Sequence, residues 1–139
     1  MPSRVCVVIP TVNNSTELAL ALDGLKNQTF QEMEVVVVGP DQDQGRRITE
    51  ERGFRYIDDR GSSNRADACN IAIEETDSEI VLFTDDDVIV PRDWVEKLER
   101  WFERPEVSGV GGPNFAPDDD PFGAKCADVA FCTQLHYQL

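Results

Sequence analysis

Residues 5–11 read Val-Cys-Val-Val-Ile-Pro-Thr, and this stretch decides the predicted fold. A continuous, largely β-branched run of this kind suits a strand that is buried on both faces, as in a parallel sheet. Three further short apolar runs, at residues 34–38, 54–57 and 80–83, predict three more strands. A fifth strand is predicted at residues 107–110, directly before Gly111-Gly112.

Helical patterns separate these strands. Over residues 15–27, Leu18, Leu22 and Leu25 recur on one face, and Asn14 is the expected N-cap. Shorter helices are predicted at 45–52 and from a cap at Ser62 or Ser63 to residue 75.

Another helix is predicted behind Pro91, with an apolar stripe that includes Trp94 and Trp101. Tryptophans seven residues apart on one helix are more typical of core packing than of sugar stacking. Strands that alternate with helices imply right-handed crossovers. The expected fold class is therefore α/β, with a doubly wound, mainly parallel sheet and helices on both faces.

Composition excludes several classes of function. The chain has 139 residues, enough for one core, and Lys+Arg 13 against Asp+Glu 27 gives a formal net charge of −14. This charge disfavours nucleic acid and anionic membranes as partners. No signal peptide or membrane-spanning run is recognisable, so a cytoplasmic location is expected, with the cytoplasmic face of a membrane as the alternative.

The acidic surface and the cysteines carry further expectations. Arginine outnumbers lysine ten to three, and with the excess of Asp and Glu this resembles the composition of proteins from salt-loving organisms. The chain has no C-x-x-C pair, and we expect reduced thiols at Cys6, Cys69, Cys126 and Cys132. Structural zinc is disfavoured, because the single His136 lies near only two of the four.

Ligands of open α/β sheets collect at the carboxyl ends of the strands, where this chain places several polar residues. The most informative group is Asp85-Asp86-Asp87, directly after the strand at 80–83. If these residues continue the strand, Asp85 and Asp87 share one face and Asp86 takes the other. Carboxylates at such an edge suit Mg²⁺ or Mn²⁺, which substrate phosphates commonly complete. Residues 118–120 have the same composition but lie between two prolines, and we interpret them as an exposed loop.

Taken together, six segments resemble the family 2 glycosyltransferases of GT-A fold, in order and in spacing. The segments are Val7–Thr11, the leucines at 18, 22 and 25, Gln28-Thr29-Phe30, Glu34–Val38, Arg65–Ala72 and Leu82–Asp87. The resemblance implies a nucleotide-diphospho-sugar donor, a UDP- or GDP-sugar, with Mg²⁺ or Mn²⁺ at the D-x-D motif. It also implies transfer of the sugar, with inversion, to a hydroxyl of a sugar, lipid-linked or protein acceptor.

The resemblance assigns roles to individual residues. It places a set of donor-binding residues in the loop after the first strand, in the segment before the fourth strand and in the D-x-D motif: Pro10, Thr11, Asn13, Arg65, Asn70, Asp85 and Asp86. Asp87, with Asp85, matches the metal site. Where the family often has Asp-Asp-Gly-Ser after the second strand, this chain has Gly39-Pro40-Asp41-Gln42, so the base-contacting carboxylate is absent or displaced to Asp41.

The end of the chain departs further from the family pattern. The family's general base lies well beyond the Gly-Gly strand, and no residue before Leu139 matches it, so the catalytic base is expected outside the 139 residues. We therefore assign residues 1–113 to a nucleotide-sugar-binding domain. Residues 114–139, a loop at 114–121 and a helix at 122–139, are assigned to the start of an incomplete acceptor-side region.

Two other functions stay open. A nucleotidyltransferase normally shows a Gly-rich loop with a basic residue after the first strand, which residues 10–14 lack. A non-catalytic nucleotide-binding or interaction domain fits the missing base but not the intact acidic triplet. Membrane association through a further C-terminal part, and assembly into a homo-oligomer, are also left open by the sequence.

Overall fold

The computed structural model describes residues 3–62, 64–113 and 118–119. Within these residues the sheet has four strands: β1 Val5–Pro10, β2 Met33–Gly39, β3 Arg55–Asp58 and β4 Ile80–Phe83. The strand order is β3-β2-β1-β4, and all three pairings are parallel. The predicted parallel α/β sheet is confirmed.

The helices between the strands lie close to their predicted positions. They are α1 Ser15–Lys26, α2 Gln44–Glu51, α3 Arg65–Glu74 and α4 Trp94–Glu99, the last continued by a 3₁₀ turn at Arg100–Glu103. Leu18, Leu22 and Leu25 are all buried on α1, as their spacing predicts.

Apolar side chains cover both faces of the sheet, because successive residues of a strand point to opposite sides. On one face Val7 and Val37 pack with α1, in a cluster that also takes in Trp94 and Val95. On the other face Val8 and Val36 pack with two alanines of α3. Helices therefore cover both faces, which explains why the strands read as continuous apolar runs rather than alternating ones.

The prediction of a fifth strand is wrong. Residues 107–110 do not form a strand, and an added Cβ at Gly109, Gly111 or Gly112 would have no atom within 4 Å. A four-residue run that contains Ser108 and Gly109 has little preference for an extended ladder by itself, so it becomes a strand only where a neighbour pairs with it. No described residue pairs with it.

The acidic triplet does not continue β4. The strand ends at Phe83, and Asp86-Asp87 lie in a turn closed by the Val88 amide, which donates to the Asp85 carbonyl (3.4 Å). The condition for a two-residue alternation of the three aspartates, a strand that continues through them, is therefore not met.

Two predicted helix caps also differ. Asn14 occupies the N-cap position of α1 but makes no capping hydrogen bond, since its side chain is used elsewhere. The N-cap of α3 is Asn64 rather than Ser62, and Ser63 lies outside the described residues. Asn64 accepts from the Asp67 amide (3.0 Å) and donates to the Asp67 carboxylate (2.7 Å), a reciprocal arrangement like a capping box.

The short helix α4 is anchored from outside its own sequence. The buried Gln28 donates to the Pro91 carbonyl (2.7 Å) and accepts from the Val95 amide (3.0 Å), so it serves as a remote cap. Trp94 packs against the core as predicted, but Trp101 is 49% exposed. Trp101 lies in the 3₁₀ turn, where three residues per turn shift it off the apolar stripe of a 3.6-residue helix.

The chain divides into two compact units, Met1–Glu103 and Arg104–Leu139. The sheet, its helices and all residues of the site described next belong to the first unit. No helix among the described residues is long and apolar enough to cross a membrane. The predicted helix at 122–139, the Asp120 position, Cys126, Cys132 and His136 lie outside the described residues.

Candidate functional site

The site lies where the chain reverses its direction of travel across the sheet. From β1 the chain winds outward to β2 and β3, and β4 then returns to the other side of β1. At such a switch point the loops after the two adjacent strands diverge and leave a crevice at their carboxyl ends. A cavity of about 560 Å³ lies there, lined by residues 10–14 at the end of β1 and in the loop after it, and by Asp85–Asp87 after β4. Pockets of this size accommodate small-molecule ligands and cofactors.

One wall of the cavity is the loop of residues 11–14. Thr11 continues the β1 ladder, since its amide donates to the Val38 carbonyl (2.9 Å), and it is buried. Asn13 has a φ of 51°, in the left-handed region that residues other than glycine rarely adopt. Its amide donates to the Asp43 carboxylate (2.7 Å), which holds it in that conformation.

The acidic turn forms a second part of the lining, and its three carboxylates have different partners. Asp85 forms an ion pair with Arg65 of α3. Asp86 accepts from the Thr11 hydroxyl (2.7 Å) and from the Asn14 side-chain amide (3.0 Å). Asp87 is exposed and makes no hydrogen bond or ion pair with any described residue. It is therefore the carboxylate of the three that is open to a ligand.

Charge in the cavity is unbalanced. In the part of the chain that the structure describes, four carboxylates and the Arg65 guanidinium line it, the fourth carboxylate being the buried Asp59. Arg65 and Asp85 are 56% and 41% exposed, so their ion pair is worth at most about 1 kcal/mol and a ligand can displace it. The arrangement favours a cation, or an anion that arrives with one.

Most of the predicted site residues come together here, and two do not. Pro10, Thr11, Asn13, Arg65 and Asp85–Asp87 line the cavity, as the sequence predicted for a common site. Asp41 and Asn70 are exposed and lie outside the lining. Asp41 instead pairs with Arg46 of α2, which also lies over the Tyr56 ring at 4.8 Å from its centroid.

Four polar residues of the lining were not selected from the sequence as site residues: Asn14, Asp59, Ser62 and Asn64. Asp59 follows β3, so its position at a strand's carboxyl end was a usable signal. Its carboxylate accepts from the Gly61 amide (3.0 Å) and shapes the turn before α3. Asn64 and Ser62 lie in the segment that brings Arg65 to the cavity, which no local pattern indicates.

The two described cysteines are free thiols, as expected. Burial raises the pKa of the Cys6 thiol to about 11, and burial also raises that of Cys69. Burial likewise raises the pKa of the Tyr56 hydroxyl, which donates to the Pro40 carbonyl (3.0 Å) at the end of β2. These groups stay neutral at physiological pH. Among the described residues, no three His, Cys, Asp or Glu side chains are grouped so that they could hold a metal ion by themselves.

Several solved structures are similar to this chain. The mannosyltransferase PcManGT from Pyrobaculum calidifontis, in complex with GDP-Man and Mn²⁺, superposes with a TM-score of 0.68 at 29% identity, covering 81% of this chain and 37% of its own. S. aureus TarS 1-349 in complex with UDP-GlcNAc gives 0.64 at 24% identity, covering 80% and 37%. Glucosyl-3-phosphoglycerate synthase from Mycobacterium tuberculosis, with UDP, gives 0.58 at 19%, covering 76% and 40%.

These similarities support the fold and show how much of each solved protein this chain covers. The last two structures, below 25% identity, support the α/β fold of GT-A type and nothing further. The chain spans about 37–40% of the length of these three proteins. No curated protein sequence is significantly similar to it.

The sequence itself identifies the family. It matches the model of glycosyl transferase family 2 over residues 6–130, which is most of the chain and includes every strand and helix described above except the first residue of β1. The family match and the parallel sheet agree with the resemblance carried by the sequence segments. This chain therefore belongs to glycosyltransferase family 2.

Proposed function

We propose that this chain binds the nucleotide-diphospho-sugar donor of an inverting, divalent-metal-dependent glycosyltransferase. The observation that carries the proposal is the cavity at the switch point, where Asp87 is exposed and without a partner among the described residues. Arg65 lies in the same lining, so one site offers both an oxygen ligand for a cation and a positive charge for a phosphate. A diphosphate accompanied by a divalent cation fits this pair of groups.

The donor atoms suit Mg²⁺ or Mn²⁺ better than a metal held by protein alone. Hard cations take oxygen ligands, and Mg²⁺ in particular is commonly bound by one or two carboxylates together with substrate phosphates and water. Asp87 supplies such a carboxylate, and Asp85 supplies a second when Arg65 releases it. The described residues contain no group of three or more metal-ligating side chains. In the proposed site, phosphate oxygens of the nucleotide supply the remaining ligands. A bound cation would offset charge on the departing nucleoside diphosphate.

The residues that line the cavity have separate roles in this proposal. Arg65 exchanges Asp85 for a phosphate oxygen of the donor, which costs little because the ion pair is half exposed. The backbone of the loop at 11–14 forms the wall beside the nucleoside. Asp59 is buried, and its bond from the Gly61 amide stabilises the turn that precedes α3.

The identity of the donor is proposed as a UDP- or GDP-sugar. PcManGT is solved with GDP-Man and TarS with UDP-GlcNAc, so similar structures hold either base. The acceptor is proposed to be a hydroxyl group of a sugar, lipid-linked or protein molecule. Because the chain spans only part of the length of these proteins, the proposal for its own residues is confined to donor binding.

Calorimetry with UDP and GDP, each with and without Mn²⁺, tests the proposal. We expect at least one of the two to bind, and to bind more tightly when Mn²⁺ is present. Asp87→Asn should weaken that metal-dependent binding by at least about tenfold, equivalent to about 1.4 kcal/mol. Asp119→Asn is the matched control, since Asp119 lies in an exposed turn outside the cavity lining. Equal losses from the two substitutions, or no binding with Mn²⁺, would overturn the assigned site.

A further inference from the structure

The loop of residues 11–14 is held from two sides by carboxylates that belong to different parts of the fold. Asp86 follows β4 and Asp43 lies between β2 and α2, and these two strands flank β1 on opposite sides. The two carboxylates bond to different residues of the loop. This double attachment is independent of any ligand.

Asp86 uses both of its carboxylate oxygens for the loop. Its Oδ2 accepts from the Thr11 hydroxyl at 2.7 Å, and its Oδ1 accepts from the Asn14 side-chain amide at 3.0 Å. Hydrogen bonds to an ionised acceptor are stronger than those between neutral groups. Neither neighbouring aspartate forms a hydrogen bond or ion pair with the described residues of the loop: Asp85 pairs with Arg65, and Asp87 has no such partner among the described residues.

Asp43 fixes the middle of the same loop. Its Oδ2 accepts from the Asn13 amide and its Oδ1 from the Gly45 amide, both at 2.7 Å. Because Asn13 has a φ of 51°, this residue is in the left-handed region, which asparagine adopts more readily than most residues but less readily than glycine. The hydrogen bonds to Asp43 and Asp86 stabilise the loop in this conformation.

We propose that Asp86 is a positioning residue, which with Asp43 holds the loop of residues 11–14 in its ligand-binding conformation and does not itself contact the metal or the nucleotide. The three adjacent aspartates then have separate tasks. Asp85 pairs with Arg65 until the donor phosphate replaces it, Asp86 holds the loop of residues 11–14, and Asp87 is open to the ligand. This inference rests on the proposed function for the nature of the ligand, but not for the geometry of the loop.

Substitutions at Asp86 and Asn14 separate positioning from ligation. Asp86→Ala removes both hydrogen bonds, and we expect it to weaken binding of UDP or GDP in the presence of Mn²⁺ by about tenfold. Asn14→Ala removes one of the two, with an expected loss of about threefold. Since the two residues act through one contact, the double variant should lose much less than the product of the single losses.

Asp86→Asn provides the rescue. Asparagine has the same shape, its carbonyl still accepts from Thr11, and a flipped Asn14 amide accepts from its new NH₂ group. We expect this variant to recover most of the loss seen in Asp86→Ala and to keep its Mn²⁺ dependence, in contrast to Asp87→Asn. If Asp86→Asn loses Mn²⁺-dependent affinity as fully as Asp87→Asn does, Asp86 is a ligand and the proposal is wrong.

Hydrogen exchange at the Asn13 amide gives a readout without any ligand. We expect faster exchange there in Asp86→Ala and in Asn14→Ala than in the wild type, and unchanged exchange in Asp87→Asn. If the wild type binds neither nucleotide, the proposed function fails while this exchange measurement still decides the positioning role. If Asp86→Ala does not fold, Asn14→Ala decides alone. Wild-type exchange and wild-type affinity in Asn14→Ala would then overturn the inference.

Discussion

Gly39, the last residue of β2, is the position where adding one methyl group should disturb both the fold and the cavity. A Cβ built on it would lie 2.5 Å from the Thr11 carbonyl oxygen and 2.6 Å from the Tyr56 hydroxyl. Its φ is not among the positive values, which occur at Gly53 and Gly61 among the described glycines. The effect of Gly39→Ala is therefore steric, without a contribution from backbone strain.

Neither neighbour can move away at low cost. The Thr11 carbonyl belongs to the main chain, and the Thr11 amide donates to the Val38 carbonyl at 2.9 Å, which limits its movement. Tyr56 is buried, and its hydroxyl would have to give up its bond to the Pro40 carbonyl. Overpacking of this kind costs about 1–3 kcal/mol, and losing a hydrogen bond about 1 kcal/mol more. We expect Gly39→Ala to lower the free energy of unfolding by about 2–4 kcal/mol and Tm by about 10 °C.

Gly24→Ala is the matched control. Gly24 lies inside α1, where its added Cβ would meet Ile89 Cγ2 at an ordinary 3.6 Å. Alanine in a helix interior is favoured over glycine by about 0.5–1 kcal/mol, so this variant should be slightly more stable than the wild type. Urea unfolding of both variants measures the two effects with the same added atom.

The cavity should respond to the same change. Displacing the Thr11 carbonyl shifts the loop of residues 11–14, so Gly39→Ala should also bind UDP or GDP more weakly than Gly24→Ala does. The reasoning is refuted if Gly39→Ala is as stable as the wild type, because the contacts at 2.5 and 2.6 Å would then be relieved without cost.

Three further predictions concern charge and pH. Tm should rise between 0.01 M and 1 M KCl, because the Debye length falls from about 30 Å to about 3 Å and screens the net charge of −14; a flat or falling Tm would contradict the halophile-like interpretation of the composition. The hydrogen bond from Arg52 lowers the pKa of Asp23, so this pair stabilises the fold above pH 4 and the stabilisation is lost as pH falls through the lowered value. Arg52→Ala should therefore cost about 0.5 kcal/mol at pH 6 and less at pH 2, and equal costs in urea unfolding at both pH values would rule this out. Because burial raises the pKa of Cys6 to about 11, its thiol should resist alkylation at pH 8 until the protein is unfolded, and peptide mass spectrometry showing rapid native labelling would disprove it.

The sequence by itself determined the architecture. The apolar run at 5–9 could only be satisfied by burial on both faces, and leucines at 18, 22 and 25 could only face a core on one side of a helix. Both patterns repeat along the chain, so the parallel sheet and its helices could be predicted from local periodicity. The rule that ligands bind at the carboxyl ends of strands then brought Pro10, Thr11 and Asp85–Asp87 to one site.

Only the tertiary structure decided which partner each polar group takes. Asparagine is a common helix cap, yet the side-chain amide of Asn14 donates to Asp86, 72 residues away. The N-cap of α3 is Asn64 rather than one of the predicted serines. The segment at 107–110, predicted as a strand, pairs with no strand among the described residues. A local pattern shows which bonds a residue is able to make. The choice among them depends on which groups the folded sheet brings within about 3 Å, and that distance is fixed by contacts far apart in the chain.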